Sequence, residues 1–178
     1  MKRFCVFLFA ILFLAVASGC ASKKVVVVQQ GGQTAGGADN HGLVIASQKL
    51  TENGKKFLRK GKYAQASQQF ELAIQKDPTN WEAHYYLGLT YQQWKKHVDA
   101  VRCFRKSIDL HPQDKVWVSR VRVHIGVSFE YSGNYRDAER EYQLAMTLDP
   151  DNGEASHKWK SVSKKNKKED KYKSKGGD

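Results

Sequence analysis

Apolar residues follow two different rhythms along this chain. From Phe4 to Ala17 they form one unbroken run, whereas between residues 47 and 152 they recur every three or four positions. The second rhythm marks helices that bury one face. Ala66, Phe70 and Ala73 make one stripe; Ala100, Phe104 and Ser107 make another; Ala138, Tyr142 and Ala145 make a third. Each stripe is closed by a proline, at Pro78, Pro112 and Pro150. Proline lacks the amide hydrogen that the next helical turn needs, so each one ends a unit. These three prolines are all the chain contains, and they lie 34 and then 38 residues apart. Such a period points to stacked supersecondary units that share one continuous core.

The marks inside each unit agree position by position. Gly61, Tyr63, Ala66, Phe70, Ala73 and Pro78 are repeated with identical spacing by Gly133, Tyr135, Ala138, Tyr142, Ala145 and Pro150, and the middle copy carries His97, Ala100, Phe104, Ser107 and Pro112. Further upstream, Leu87, Gly88 and Tyr91 match Ile125, Gly126 and Phe129, with Asn53, Gly54 and Phe57 in the first copy. This array resembles the tetratricopeptide repeat. The resemblance implies an all-α fold: three helix-turn-helix repeats (TPRs) in a short right-handed superhelix, at residues 47–80, 81–118 and 119–152 within a domain spanning 43–152. Glycine and alanine let paired helices approach, and the aromatic residues fill the spaces between them. Gly61 and Gly133 suit the left-handed position that ends a helix.

Two departures from the pattern carry expectations. Asn53 stands where the family has leucine, so the first helix packs loosely there or is covered by residues 43–46. The 38-residue spacing adds four residues, about one helical turn. A longer helix starting near Asp114 and running through Trp117, Val121 and Ile125 keeps the apolar face in phase; a looped-out insertion is the alternative.

An open repeat stack needs a polar-faced cap. Ala155, Trp159 and Val162 lie at helical spacing, which predicts a capping helix over 153–163. The remainder, 164–178, is rich in lysine and is expected to be disordered.

The N-terminal run has a different meaning. Lys2 and Arg3 precede 14 apolar residues, fewer than the roughly 20 needed to span a bilayer, and small residues follow. This is the layout of a signal peptide over 1–19. Ala17-Ser18-Gly19-Cys20 resembles the lipobox of bacterial lipoproteins, although leucine is usual where Ala17 stands. The resemblance implies that Cys20 becomes the first residue and carries acyl chains such as palmitate. An ordinary signal peptide with a chance cysteine, or an uncleaved anchor, is the alternative. Ala21 and Ser22 lack the aspartate of inner-membrane retention, so the family pattern implies the periplasmic face of an outer membrane, or the outer face of the cell membrane in a single-membrane host. Residues 20–42, rich in Gly, Gln and Ala after Val28, read as a flexible tether with a reach of about 25 Å.

Charge and chemistry narrow the function. Lys and Arg total 30 against 18 Asp and Glu, for a net charge of +12, and nine lysines lie beyond residue 153. A basic tract can hold nucleic acid, but that partner is not expected outside the cytoplasm, and no aromatic platform accompanies the tract. The six histidines and three cysteines fall in no metal-ligand spacing, and no GxSxG, P-loop or GxGxxG occurs. No enzyme activity, cofactor or metal is therefore expected, and Cys103 reads as a half-buried structural thiol.

In the family, the first helix of each pair lines an inner groove. Helical spacing from the core marks places Thr51, Lys55 and Arg59 there, then Tyr85, Tyr86, Leu89 and Gln93, then Arg120, His124, Val127 and Tyr131. Aromatics beside cations suit a protein or peptide partner in the cell envelope. Packing of Tyr85 or Tyr86 against a neighbouring helix, and mere solvation of Lys55 and Arg120, are the alternatives. Family members that clamp a chaperone's terminal carboxylate use a set of Lys, Asn and Arg; here the matching places hold Thr51, Lys55, Tyr86, Arg120 and His124, without either asparagine. The expected role is a membrane-anchored interaction adaptor or assembly factor, similar to small pilotin-like and outer-membrane assembly lipoproteins. A tether that bridges membrane to an anionic cell-wall polymer or lipid surface is the alternative.

Overall fold

The computed structural model describes residues 38–173. They form seven helices in chain order: α1 (Ala38–Arg59), α2 (Tyr63–Lys76), α3 (Trp81–Gln93), α4 (His97–Leu110), α5 (Lys115–Tyr131), α6 (Tyr135–Leu148) and α7 (Gly153–Lys173). No strand occurs among the described residues. The first six pair as the helical hairpins α1/α2, α3/α4 and α5/α6, and α7 packs on α6.

Each hairpin is closed by one glycine and one aromatic ring. A Cβ on Gly54 would meet the Phe70 ring at 2.6 Å, one on Gly88 would meet Phe104 at 2.7 Å, and one on Gly126 would meet Tyr142 at 2.5 Å. All three rings are fully buried, as are Ala66, Ala100 and Ala138 on the same second helices. The ring occupies the space a side chain would otherwise take, which is why the repeat demands glycine there.

The turns inside the hairpins need a left-handed residue. Gly61 and Gly133 supply it with φ of +68° and +77°. The middle copy has Lys95 instead, at φ 62°, a conformation that strains any residue with a Cβ.

Helix starts follow the prolines at fixed distance. Two residues after Pro78, Pro112 and Pro150 stand Asn80, Asp114 and Asn152. Their side-chain oxygens accept from the amides of Ala83 (2.9 Å), Trp117 (2.9 Å) and Ala155 (3.0 Å), capping α3, α5 and α7. Because α5 starts in the same register as α3, the four additional residues lengthen it, to 17 residues against 13. The extra turn is thus helical, not looped out.

The joints between repeats differ in chemistry. At the first, the buried Ser47 hydroxyl donates to the Ala73 carbonyl (2.8 Å) and accepts from the Asn80 amide (2.7 Å). Ser119, Ala145 and Asn152 repeat this relay at the third, with both bonds at 2.8 Å. At the middle joint Trp81 takes the place of the serine. It stacks on His111 at 4.5 Å, with Trp117 edge-on at 4.8 Å.

Both ends of the domain depart from expectation. The tether expected over 20–42 gives way to helix at Ala38, and Leu43, Val44 and Ile45 remain 41%, 37% and 51% exposed, so they do not cover Asn53. Cys20, the signal segment and the valine run 25–28 lie outside the described residues. At the other end, the helix expected to stop at 163 continues to Lys173, through much of the segment expected to be disordered. Specific bonds hold it. The buried Asn166 amide donates to the Tyr135 carbonyl (3.2 Å), Lys165 pairs with Glu130 (2.6 Å), and Arg136 pairs with Asp170 (2.6 Å). Lysine-rich composition suggests a solvated coil, but one buried amide and two cross-helix ion pairs make the helix the lower state.

Candidate partner-binding face

The inner face is built by α1, α3 and α5, and the ten residues expected on it fall into two groups. The first group is held by the chain itself. Lys55 lies 2.6 Å from both Glu52 and Glu82, with its ammonium 4.6 Å from the Tyr86 ring centroid. Burial works against its charge, but the bonds to Glu52 and Glu82 outweigh that and raise its pKa. Tyr86 lies parallel to Phe70 at 6.0 Å, and Tyr85 meets Trp117 and His124, each at 5.9 Å. His124 is half-buried, stacked on the Phe104 ring at 5.5 Å, and burial pushes its pKa below the ordinary histidine value. Leu89 packs on the cluster around Phe104 and Ile125.

The second group faces solvent. Arg59, Gln93 and Arg120 are exposed, Val127 is half-buried, and Tyr131 is 73% exposed. Gln93, Val127 and Tyr131 come together, joined by Gln92, Lys95 and His97, around a cleft of about 600 Å³ between the C-terminal ends of α3 and α5. Tyr131 stacks on His97 at 5.3 Å and 10°, which orients an otherwise free ring. Gln92 donates to the His124 carbonyl and to Ser128, both at 2.8 Å, and so locks α3 to α5 beneath the cleft.

Sequence reasoning did not single out Gln92, Lys95 and His97 for this cleft, nor the cluster of Trp81, His111 and Trp117. Lys95 carries a local signal, since it stands where the other copies have glycine. The others meet across helices: Gln92 and His97 meet Tyr131 of α5, and Trp81 and His111 meet Trp117 of α5.

Burial drives the Cys103 thiol up to about 12, so it is protonated at neutral pH and a weak nucleophile. Among the described residues, no group of three or more His, Cys, Asp or Glu is placed to hold a metal, and no helix is long and apolar enough to cross a membrane.

Comparison with known proteins agrees with the geometry. Tetratricopeptide-repeat family models match residues 54–93, 81–114 and 119–152, together more than half of the chain. The chain belongs to the tetratricopeptide-repeat proteins. Among curated proteins it is similar to the cytochrome c-type biogenesis protein CycH of Rhizobium meliloti (strain 1021), 36% identical over 62 residues, which is 35% of this chain and 16% of that one. It is also similar to DnaJ homolog subfamily C member 3 of Gallus gallus, 31% identical over 114 residues, 64% of this chain and 22% of that one. The chain thus spans less than a quarter of these relatives. Among solved structures, the Arabidopsis OM64 TPR domain superposes with a TM-score of 0.63 at 17% identity, over 68% of this chain and 98% of that domain. The first TPR of Spaghetti (RPAP3), bound to the HSP90 peptide SRMEEVD, gives 0.62 at 21% identity, over 68% and 93%. At these identities the structures speak for the fold.

Proposed function

We propose that this protein is an interaction adaptor of the bacterial envelope, anchored through a lipid on Cys20, that holds a partner segment on its α3/α5 face. The observation that carries the reading is the cleft beside Tyr131. An aromatic side chain 73% exposed, oriented by His97 and flanked by the exposed Gln93 and the apolar Val127, offers a ring face and an amide to an extended peptide. Two similar solved domains are described as bound to HSP90 and HSP70 peptides, which supports a peptide as the kind of ligand.

A terminal-carboxylate clamp is not the mode. Of the five places the family uses, Thr51 is 1% exposed with its hydroxyl bonded to the Ser47 carbonyl, Lys55 is neutralised by two carboxylates, and the His124 ring is stacked on Phe104 with burial disfavouring its charge. An internal segment of the partner is the better fit. The lipid anchor rests on the pattern Lys2-Arg3, the apolar run and Cys20.

A photo-crosslinker at Tyr131 in living cells tests the adaptor. One dominant envelope protein is the expected product, and Gln93→Ala combined with Tyr131→Ala lowers capture from a neighbouring exposed crosslinker at least tenfold with the melting temperature unchanged. Full capture by the folded double variant refutes the groove. For the anchor, Cys20→Ser is expected to abolish labelling by a palmitate analogue and to release the chain from the membrane fraction.

One observation favours the tether as a second reading: Lys160, Lys164, Lys167 and Lys168 are exposed on an ordered helix rather than a coil. That arrangement would present several cations together to an anionic polymer.

A further inference from the structure

The second helices of the repeats are flanked by grooves, and one of these lies beside the α3/α5 cleft, sharing His97 with it. It runs along α4, faces Phe129 of α5 and the α5/α6 turn at Ser132 and Asn134, and encloses about 560 Å³. Val98, Val101 and Phe129 form its apolar lining, and Arg102, Arg105 and Lys106 form its rim. Val98 is 78% exposed, and it lies in register with Arg102, Arg105 and Asp109 along one stripe of α4.

The rim charges are largely unspent. Arg105 reaches Glu141 only at 3.9 Å, and its guanidinium lies 5.8 Å from the Phe129 ring. Arg102 pairs with Asp99 of its own helix, yet its side chain stays 75% exposed. Lys106 has no ion pair among the described residues. Against these three cations the lining offers one carboxylate, Asp109. At one end Asn134 begins α6 without using its side chain as a cap, which leaves an amide beside the groove.

We propose that this groove along α4 is a second binding site, for an acidic peptide that carries one apolar side chain. The apolar floor takes that side chain, the three cations take its flanking carboxylates, and Asn134 pairs with its backbone. Charge complementarity selects this occupant. A second copy of the chain, itself at +12, is repelled, and an uncharged peptide leaves the rim unused. Arg102 and Lys106 also line the neighbouring groove between α2 and α4, so the same ridge extends the contact for a longer acidic segment. This site shares no residue with the α3/α5 cleft except His97.

The test uses the full chain and a fluorescein-labelled peptide, EEDLEDE, read by anisotropy at low and physiological salt. Saturable binding is expected, weakened at least tenfold by Arg105→Glu and by Val98→Asp, and at least fivefold when serine replaces the peptide's leucine. Both protein substitutions fall at exposed positions, and unchanged melting curves establish that the variants fold. Gln93 lies in the α3/α5 cleft and does not line this groove, so Gln93→Ala is expected to leave this binding unchanged, which separates its failure from failure of the α3/α5 reading. Absence of binding overturns the proposal. So does equal binding of the leucine and serine peptides, which would reduce it to general charge attraction. Sedimentation with phosphatidylglycerol vesicles that is lost in the same variants, without peptide binding, would assign the groove to lipid and likewise overturn it.

Discussion

Gly126→Ala adds a single methyl group to the middle of α5, a change that ordinarily strengthens a helix by about 1 kcal/mol. Here the sign reverses. The new carbon would lie 2.5, 2.8 and 2.9 Å from three atoms of the Tyr142 ring, all well inside contact distance. The ring has nowhere to go: it is fully buried, and its hydroxyl donates to Glu130 at 3.1 Å. Relief requires α5 and α6 to separate, and overpacking of this kind costs about 1–3 kcal/mol, at times more. With three atoms in conflict the upper end applies, and after subtracting the helix gain the net loss is about 2 kcal/mol. For a chain of this size that lowers the melting temperature by about 4–8 °C. The control is the same substitution at Gly42, in α1, where a Cβ meets nothing within 4 Å. There the variant is expected to gain about 0.5–1 kcal/mol. Circular dichroism through heat and urea unfolding reads both. If Gly126→Ala melts at or above the parent, or if the two variants shift together, glycine is not present to admit the ring and the packing argument is wrong.

Two further predictions concern strain and protonation. Lys95→Gly relieves a left-handed lysine and is expected to stabilise the chain by about 1 kcal/mol, whereas Gly133→Ala at the equivalent turn loses a similar amount; equal melting temperatures would remove strain as the reason for glycine there. His124 has a folded pKa below its ordinary 6.5, because burial disfavours the charged ring. The unfolded chain therefore binds the proton first: stability is full above about pH 6.5 and falls as pH drops below it, by up to about 1.4 kcal/mol per unit until the folded ring also titrates. Melting temperatures from pH 8 to 5 are expected to slope less in His124→Phe than in the parent, and identical slopes would rule out this histidine.

The sequence alone determined what is local or periodic. The position of each glycine and its ring partner, the proline that ends each unit, and the Asn or Asp that caps the next helix two residues later all lie within one repeat. Each acts through a contact inside one hairpin or across the turn that follows it. For the same reason the additional turn of α5 was legible, since only a whole turn keeps Val121 and Ile125 on the core side of a continuous helix. Tertiary structure decided which of the face residues stay open. Lys55 and Tyr86 look like ligand groups by spacing, but a neutralising carboxylate and a stacking ring reach them from other helices, Glu82 of α3 and Phe70 of α2. Tyr131 stays exposed, and its ring is oriented by His97 from another repeat. The tail followed the same rule. Its lysines favour solvent one by one, and only the meeting of Asn166 with Tyr135 and of Lys165 with Glu130, 31 and 35 residues away in the chain, makes the helix worth forming. Spacing specifies which face a residue occupies, whereas the free energy of that face depends on partners that arrive only when the repeats stack.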